Sequence, residues 1–179
     1  EFSSIGIGGL YLSGLDEAIV VSMGTGTALI HAKRVNGRAE VEYLGGTGVG
    51  GGTLVGLCRR LIGVDTVEHI EQLAEGGIKD ISQNHLYHGI NENLTAANFG
   101  KVSDLATQDD LALGVANLVA ETIAMLSFFA ARSYKLRDIV LTGNLTTIAP
   151  IRRVFEAMTA SGGFGVRFLI PENSQFGTV

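Results

Sequence analysis

The sequence has 179 residues, of which 25 are glycine, 2 are proline, 1 is cysteine and none is tryptophan, and its 46% apolar and 17% charged residues favour a globular core over disorder. The net charge of −5 argues against non-specific nucleic-acid binding, and the lone cysteine, Cys58, excludes an internal disulfide framework and a multi-cysteine zinc site. A single cysteine and the absence of a signal-peptide pattern predict a cytoplasmic protein.

The first half of the chain predicts a helix and an antiparallel meander. Residues 2–12 read as a helix loosened by its glycines. Three strands are then predicted at residues 18–23, 27–33 and 39–44. Asn36-Gly37 lies between the last two strands and is a strong hairpin signal.

The second half predicts helices that alternate with two short strands. Apolar spacing indicates helices at residues 54–62, 66–74, 109–134 and 147–158 and strands at residues 139–142 and 166–170. Thr66 is the expected N-cap of the second helix, Thr107 or Gln108 lies near that of the third, and Pro150 falls in the first turn of the fourth. Residues 111–131 are apolar enough to span a bilayer, but Asn117 and Glu121 favour a buried helix or a subunit interface.

Three turns place bare backbone beside hydroxyl or amide side chains, at residues 24–27, 50–53 and 143–144. Glycine lets backbone N–H groups approach a ligand closely. The second turn also leads into a helix N-terminus, whose free N–H groups favour anions. Together the turns predict a polyphosphate site, although each alone is also consistent with tight packing.

Two other nucleotide-binding motifs fit this chain less well. No lysine follows the glycines, which disfavours a Walker A loop. Residues 46–51 match G-x-G-x-x-G, but the preceding strand belongs to an antiparallel hairpin rather than a βαβ unit. The acidic residues about 20 positions further on (Asp65, Glu68 and Glu71) fall in a helical pattern rather than at a strand tip.

Five motifs in order resemble the type II pantothenate kinases, within the actin-like ATPase and sugar-kinase superfamily. They are Glu1-Phe2 with Gly8 and Tyr11-Leu12, and the segments 22–27, 45–55, 94–100 and 140–144. The resemblance implies an α/β fold: an actin-like (ribonuclease H-like) lobe with a mixed sheet, a three-stranded antiparallel meander and helices on both faces. Residues 1–179 would form the second lobe, with residues 1–14 as a hinge and active-site helix.

The resemblance also implies ATP-dependent phosphorylation of the pantothenate hydroxyl, the first step towards coenzyme A. Glu1 would be the catalytic base. The implied ATP-binding residues are Gly24, Thr25, Gly26, Thr27, Gly50, Gly51, Gly52, Thr53, Leu54, Val55, Gly143 and Asn144. Mg²⁺ would be held mainly by a first lobe, and the family implies a homodimer through the helix at residues 109–134.

Two positions depart from the family pattern on the acceptor side. Ala28 stands where the family has serine, and Tyr43 stands where it has an arginine that holds the pantothenate carboxylate. Replacing arginine by tyrosine removes a bidentate partner for that carboxylate. The substrate is therefore either pantothenate or a related hydroxyl compound, and a non-catalytic nucleotide-binding or regulatory protein is the alternative.

Several further expectations concern what the chain lacks. No D-x-G-G loop is present, so a first lobe and the last helix are expected to be missing, and the chain alone is expected to be inactive. The four histidines (His31, His69, His85 and His88) are not expected to form a metal site. Cys58 is expected to be a small core residue, and Asn98 is either a site residue or a loop-stabilising amide.

Overall fold

The computed structural model describes residues 1–77, 99–100 and 102–176. Its elements are, in order, α1 (Phe2–Ser13), β1 (Glu17–Met23), β2 (Thr27–Val35), β3 (Arg38–Thr47), α2 (Gly51–Ile62), α3 (Val67–Gly76), α4 (Gln108–Ser133), β4 (Asp138–Thr142), a 3-10 turn (Asn144–Thr147), α5 (Ala149–Ser161), β5 (Arg167–Leu169) and a second 3-10 turn (Ser174–Phe176). His85, His88, Asn98 and most of the 94–100 motif lie outside the described residues, as do residues 177–179.

The five strands form one mixed sheet in the order β3-β2-β1-β4-β5. β1 pairs antiparallel with β2, and β2 with β3, which confirms the predicted meander. β4 and β5 extend the sheet in parallel from β1. Asn36 and Gly37 have φ values of 50° and 78°, the left-handed backbone that a two-residue hairpin turn requires.

The two faces of the sheet are covered by different helices. Ile19, Val21 and Met23 of β1 point into a core shared with the later helices, α2 to α5. The alternate residues Ala18 and Val20 point into a smaller core beneath α1. This alternation follows from the two-residue period of a strand, and it confirms the prediction of a mixed sheet with helices on both faces.

The glycines of α1 have an effect on the structure other than the predicted loosening of the helix. They do not loosen the helix, which is continuous over 12 residues. A Cβ at Gly6 would lie 2.8 Å from the Val41 side chain, and one at Gly9 would lie 2.5 Å from that of Val20. The missing side chains therefore let α1 pack directly on the sheet.

Helix α4 lies at the centre of the larger core. Thr107 is its N-cap: its side chain accepts from the Asp110 N–H, and the Asp110 carboxylate accepts from the Thr107 N–H. Among the described residues α4 is the one helix long and apolar enough to cross a membrane, and 61% of its most apolar window is buried inside the fold. Its packing against α2, α3 and α5 confirms that it is a core helix.

Among the predicted boundaries that differ from the structure, two differ for reasons that the structure makes visible. β3 continues through Gly45 and Gly46 to Thr47, because Leu29, Ala28 and Thr27 of β2 pair with these residues beyond a bulge. The helix expected from Thr147 begins at Ala149. The residues before it form a 3-10 turn, in which the Thr146 hydroxyl donates to the Gly143 carbonyl.

Candidate nucleotide-binding site

The first glycine turn is joined directly to the start of α2. The Gly51 N–H donates to the Gly24 carbonyl at 2.8 Å, and the Gly52 N–H donates to the Thr25 carbonyl at 2.9 Å. A Cβ at Gly50 would lie 2.6 Å from the same Thr25 carbonyl oxygen. Two of the helix N–H groups expected to be free for an anion are therefore used inside the protein, which corrects that part of the sequence interpretation.

Several predicted site residues shape this junction from within. The buried Thr27 hydroxyl donates to the Val49 carbonyl at 2.8 Å, and the Thr53 hydroxyl accepts from the Gly50 N–H at 3.2 Å. A Cβ at Gly26 would lie 3.0 Å from the Thr47 carbonyl oxygen, so its bare backbone permits close packing. Leu54 is completely buried in the main core. These residues therefore stabilise the junction through contacts within the protein.

The turn after β4 meets the first turn because β1 and β4 are parallel neighbours, so that both strands end at the same edge of the sheet. Gly143 has a φ of 98°, and a Cβ there would clash with the backbone of Met23. Only glycine fits this approach. The Gly143 N–H donates to the Ser174 carbonyl at 2.9 Å, and the chain then presents Asn144 beside the first turn.

A cavity of about 490 Å³ lies where these turns meet. Six predicted ATP-binding residues line it, namely Gly24, Thr25, Gly51, Gly52, Val55 and Asn144. Five residues that were not predicted complete the walls, namely Val67, Glu68, Leu145, Thr147 and Ile148. Sequence reasoning missed them because tertiary packing alone brings α3 and the 3-10 turn to this edge of the sheet.

Among the glycines that line the cavity, Gly24 is the one at which a side chain would meet no close protein contact. A Cβ there would meet nothing nearer than the Gly26 carbonyl oxygen, 3.9 Å away, and Gly24 is absent from the glycines of positive φ. It nevertheless lines the cavity. The missing side chain at Gly24 therefore leaves open space at the cavity wall, whereas those at Gly50 and Gly143 avoid clashes inside the protein.

The predicted acceptor-side residues lie away from this cavity. Glu1 is exposed, and its carbonyl accepts from the Ile5 N–H at the start of α1. The ring of the next residue, Phe2, stacks on the ring of Tyr43 in β3, and the two ring centroids are 4.2 Å apart. Ala28 pairs with Gly46 across the sheet, and the Tyr43 hydroxyl lies beside that glycine. The structure thus brings the start of α1, Tyr43 and Ala28 to one region.

The pKa values of Cys58 and Tyr134 are perturbed by their surroundings. Burial raises the pKa of the Cys58 thiol to about 11, which leaves it protonated and unreactive at neutral pH. The hydrogen bond to Glu42 raises the pKa of Tyr134 above its ordinary value. Within the described parts of the chain, no three His, Cys, Asp or Glu side chains are grouped as metal ligands would be.

The sheet order, the glycine junction and the cavity at the ends of β1 and β4 define a lobe of the actin-like ATPase class. The model of the Fumble family matches residues 17–159, and the chain belongs to that family.

Curated relatives agree with this assignment. The chain is 34% identical to a type II pantothenate kinase of Oceanobacillus iheyensis, with 76% of this chain and 53% of the relative covered. It is 32% identical to those of Bacillus cereus (73% and 50% covered) and Staphylococcus haemolyticus (90% and 63% covered). The chain thus spans about half to two-thirds of the length of these relatives.

Proposed function

We propose that the protein containing this chain is an ATP-dependent small-molecule kinase of the pantothenate kinase type. It transfers a phosphoryl group to the hydroxyl of pantothenate or of a compound with the same hydroxyl end. The observation that carries this proposal is the glycine-lined cavity between the turns after β1 and β4, in a chain of the Fumble family. The relatives named type II pantothenate kinase support the choice of acceptor.

The apolar and polar residues of the cavity wall are arranged in a way that suits ATP. Val55, Val67 and Ile148 offer apolar surface for a base, while Asn144 and Thr147 offer polar groups nearby. Gly24 and Thr25 leave room for phosphates at the first turn. Bound ATP supplies the phosphoryl group, and the proposed Mg²⁺ would be held mainly by residues outside this chain.

Glu1 is the proposed base for the acceptor hydroxyl. Phosphoryl transfer depends mainly on positioning and charge stabilisation, so one carboxylate that orients the hydroxyl is sufficient on the acceptor side. The Phe2–Tyr43 stack supports this assignment, because it fixes the start of α1 against β3.

The remaining parts of the proposal concern the whole protein. This chain supplies the second lobe, with residues 1–14 as hinge and active-site helix, and the chain alone has no kinase activity. The protein is a cytoplasmic homodimer that pairs through α4. Leu126 and Phe129, exposed on that helix, support this interface.

The test is ATP-dependent phosphorylation of pantothenate and related hydroxy compounds by the full-length protein. Glu1→Gln is expected to lower kcat by about 10²- to 10⁴-fold with unchanged ATP affinity, the range for loss of a general base. Glu172→Gln, at an exposed position, is the matched control and keeps full activity. Full activity of Glu1→Gln would refute the assignment of the base.

A non-catalytic nucleotide-binding or regulatory protein is the second candidate. Ala28 and Tyr43 favour it, because the acceptor side departs from the family pattern while the glycine turns are retained. Micromolar ATP binding by the full-length protein, with no turnover of any hydroxyl acceptor, would decide for this second candidate.

A further inference from the structure

Helix α3 carries three glutamates on one face, namely Glu68, Glu71 and Glu75. Their spacing of three and four residues places them one above another, a turn apart. This face points towards α5, because Glu71 accepts from the Ala149 N–H and Glu75 pairs with Arg153. Both contacts advance in the same direction along the two helices, so Glu68 lies level with the residues that precede α5.

The nucleotide cavity lies at this level. Glu68, Thr147 and Ile148 all line it, so Glu68 borders open space where the other two glutamates have partners from α5. The Thr147 hydroxyl is used within its own turn, since it donates to the Asn144 carbonyl at 2.7 Å. Within the described parts of the chain, no hydrogen bond or ion pair involves the Glu68 carboxylate.

Glu68 is also the one charged side chain among the residues that line this cavity. An ionised carboxylate accepts hydrogen bonds and repels phosphate groups. The phosphates of a bound nucleotide therefore lie away from it, at the junction where Gly24 and Thr25 accept from the start of α2. The α3 wall of the cavity is thus left for the nucleoside end of the ligand.

A nucleoside offers a carboxylate two kinds of donor, the amino group of an adenine base and the hydroxyls of the sugar. The 2′- and 3′-hydroxyls of ribose are adjacent, so they match the two oxygens of one carboxylate. Hydrogen bonds from a hydroxyl to a carboxylate are charge-assisted and stronger than neutral ones. In dinucleotide-binding folds an acidic side chain holds a ribose hydroxyl in the same way, although this chain has a different sheet.

We propose that Glu68 is the residue that selects the sugar of the nucleotide, by accepting hydrogen bonds from the 2′- and 3′-hydroxyls of a ribose. The inference rests on the proposed function, since it takes ATP as the ligand of this cavity. Val67 precedes Glu68 on α3 and offers apolar surface for the base beside the sugar. The site therefore discriminates ribonucleotides from deoxyribonucleotides.

The experiment measures equilibrium binding of four nucleotides to the full-length protein with Mg²⁺ present: ATP, 2′-deoxy-ATP, 3′-deoxy-ATP and inosine triphosphate. ATP is expected to bind about tenfold more tightly than either deoxy analogue, the lower end for a hydrogen bond to a charged group, because Glu68 is exposed. Glu68→Ala removes the acceptor and is expected to bring both ratios close to one. Glu68→Gln keeps one uncharged acceptor oxygen and is expected to give intermediate ratios.

A ratio of two affinities does not depend on the fraction of protein that is folded, so a merely structural effect of these substitutions would leave it unchanged. Inosine triphosphate lacks the amino group of adenine, and the ratio of its affinity to that of ATP is expected to be the same in all variants.

Asp65→Asn is the matched control for Glu68→Gln. It removes one negative charge three residues before Glu68, at an exposed position that does not line the cavity. The Asp65 carboxylate lies 3.4 Å from Arg59, in an ion pair that does not involve the nucleotide site. The nucleotide ratios of this variant are expected to equal those of the unchanged protein.

Equal affinity for ATP and its deoxy analogues, or ratios that Glu68→Ala leaves unchanged, would overturn the inference and leave the proposed kinase activity intact. A change confined to the ratio of ATP to inosine triphosphate would also overturn it, since the carboxylate would then contact the base. Binding of no nucleotide by the full-length protein would overturn the proposed function, and the inference with it.

Discussion

The carboxylate of Glu71 in α3 accepts a hydrogen bond of 2.8 Å from the backbone N–H of Ala149, the first residue of α5. The contact satisfies one of the N–H groups that a helix start leaves without a partner and places a negative charge at the positive end of the helix. Glu75 and Arg153 form an ion pair one turn further along both helices. Together these contacts hold α3 against residues 147–148, which both line the proposed nucleotide cavity.

Removal of this cap is expected to weaken both the fold and the cavity. Glu71→Ala should lower the free energy of unfolding by about 1 kcal/mol, the usual effect of losing a helix cap. It should also reduce ATP affinity, because Val67 and Glu68 are no longer held against residues 147–148. Urea unfolding and equilibrium ATP binding by the full-length protein measure the two effects.

Glu156→Ala is the control for this change. Glu156 is exposed on α5, and its carboxylate lies 4.0 Å from Arg152. An exposed ion pair of this kind contributes about 0–1 kcal/mol, so little change in unfolding and none in ATP affinity is expected. Equal effects of the two substitutions would argue against a capping role for Glu71.

Two glycines of the proposed nucleotide site are expected to separate ligand binding from folding. Gly24→Ala adds a methyl group in open space at the cavity wall, so the stability of the protein should be retained. Its ATP affinity should fall by about tenfold, because crowding of a bound ligand costs about 1–3 kcal/mol.

Gly143→Ala should instead destabilise the protein by at least about 1–3 kcal/mol, since the residue has a positive φ and its Cβ would clash with Met23. Thermal unfolding with and without ATP distinguishes the two variants. A Gly24→Ala protein that binds ATP normally would contradict the placement of the nucleotide.

The sequence predicted the meander and the position of the glycine turns because their signals are local. The β-branched run at Ile19–Val21 indicates a buried strand, and Asn36-Gly37 can adopt the positive φ of the hairpin. Parallel pairing of β4 with β1 then brings Gly143 to the same edge as Gly24. The turns themselves could therefore be predicted from local signals, whereas their meeting at one edge of the sheet depends on the β1–β4 pairing that the structure shows.

The role of each glycine could not be read from the sequence. Gly24 and Gly50 belong to similar turns, but only the structure shows that a Cβ at Gly50 would strike the Thr25 carbonyl while one at Gly24 would not. The wall from α3 was missed for a related reason. It depends on Glu71 reaching Ala149, a contact between residues 78 positions apart that has no local signal.

Cys58 is expected to make stability fall at alkaline pH. Its pKa is about 11 in the folded protein and 9.0 when exposed, so the folded state disfavours the thiolate. The stability that this difference in pKa contributes is fully present below pH 9 and is lost as the pH rises to about 11. The slope approaches about 1.4 kcal/mol per pH unit for one group.

The measurement is urea unfolding between pH 8 and 11 for the protein and for Cys58→Ala. Other groups titrate in both proteins, so the difference between the two curves isolates the thiol. The alanine variant should be less stable at pH 8, because it leaves a small cavity in the core, and the gap should narrow as the pH rises. A constant gap would show that the pKa of the thiol is the same in the folded and unfolded states.

Two helical glycines should respond in opposite ways to the same substitution. Gly9 of α1 faces the sheet, and a Cβ there would lie 2.5 Å from Val20. Gly9→Ala is therefore expected to destabilise the protein by about 1–3 kcal/mol, since the helix must move away from β1. Gly56 of α2 is exposed, and a Cβ there would meet no atom within 4 Å.

Gly56→Ala should stabilise the protein by about 0.5–1 kcal/mol, because alanine loses less backbone freedom on folding. Both variants are measured by urea unfolding under the same conditions. Opposite signs would establish that the glycines of α1 are required for the contact between the helix and the sheet. If Gly9→Ala also stabilised the protein, helix propensity would outweigh the contact with Val20, and α1 would have to pack further from β1 than the structure places it.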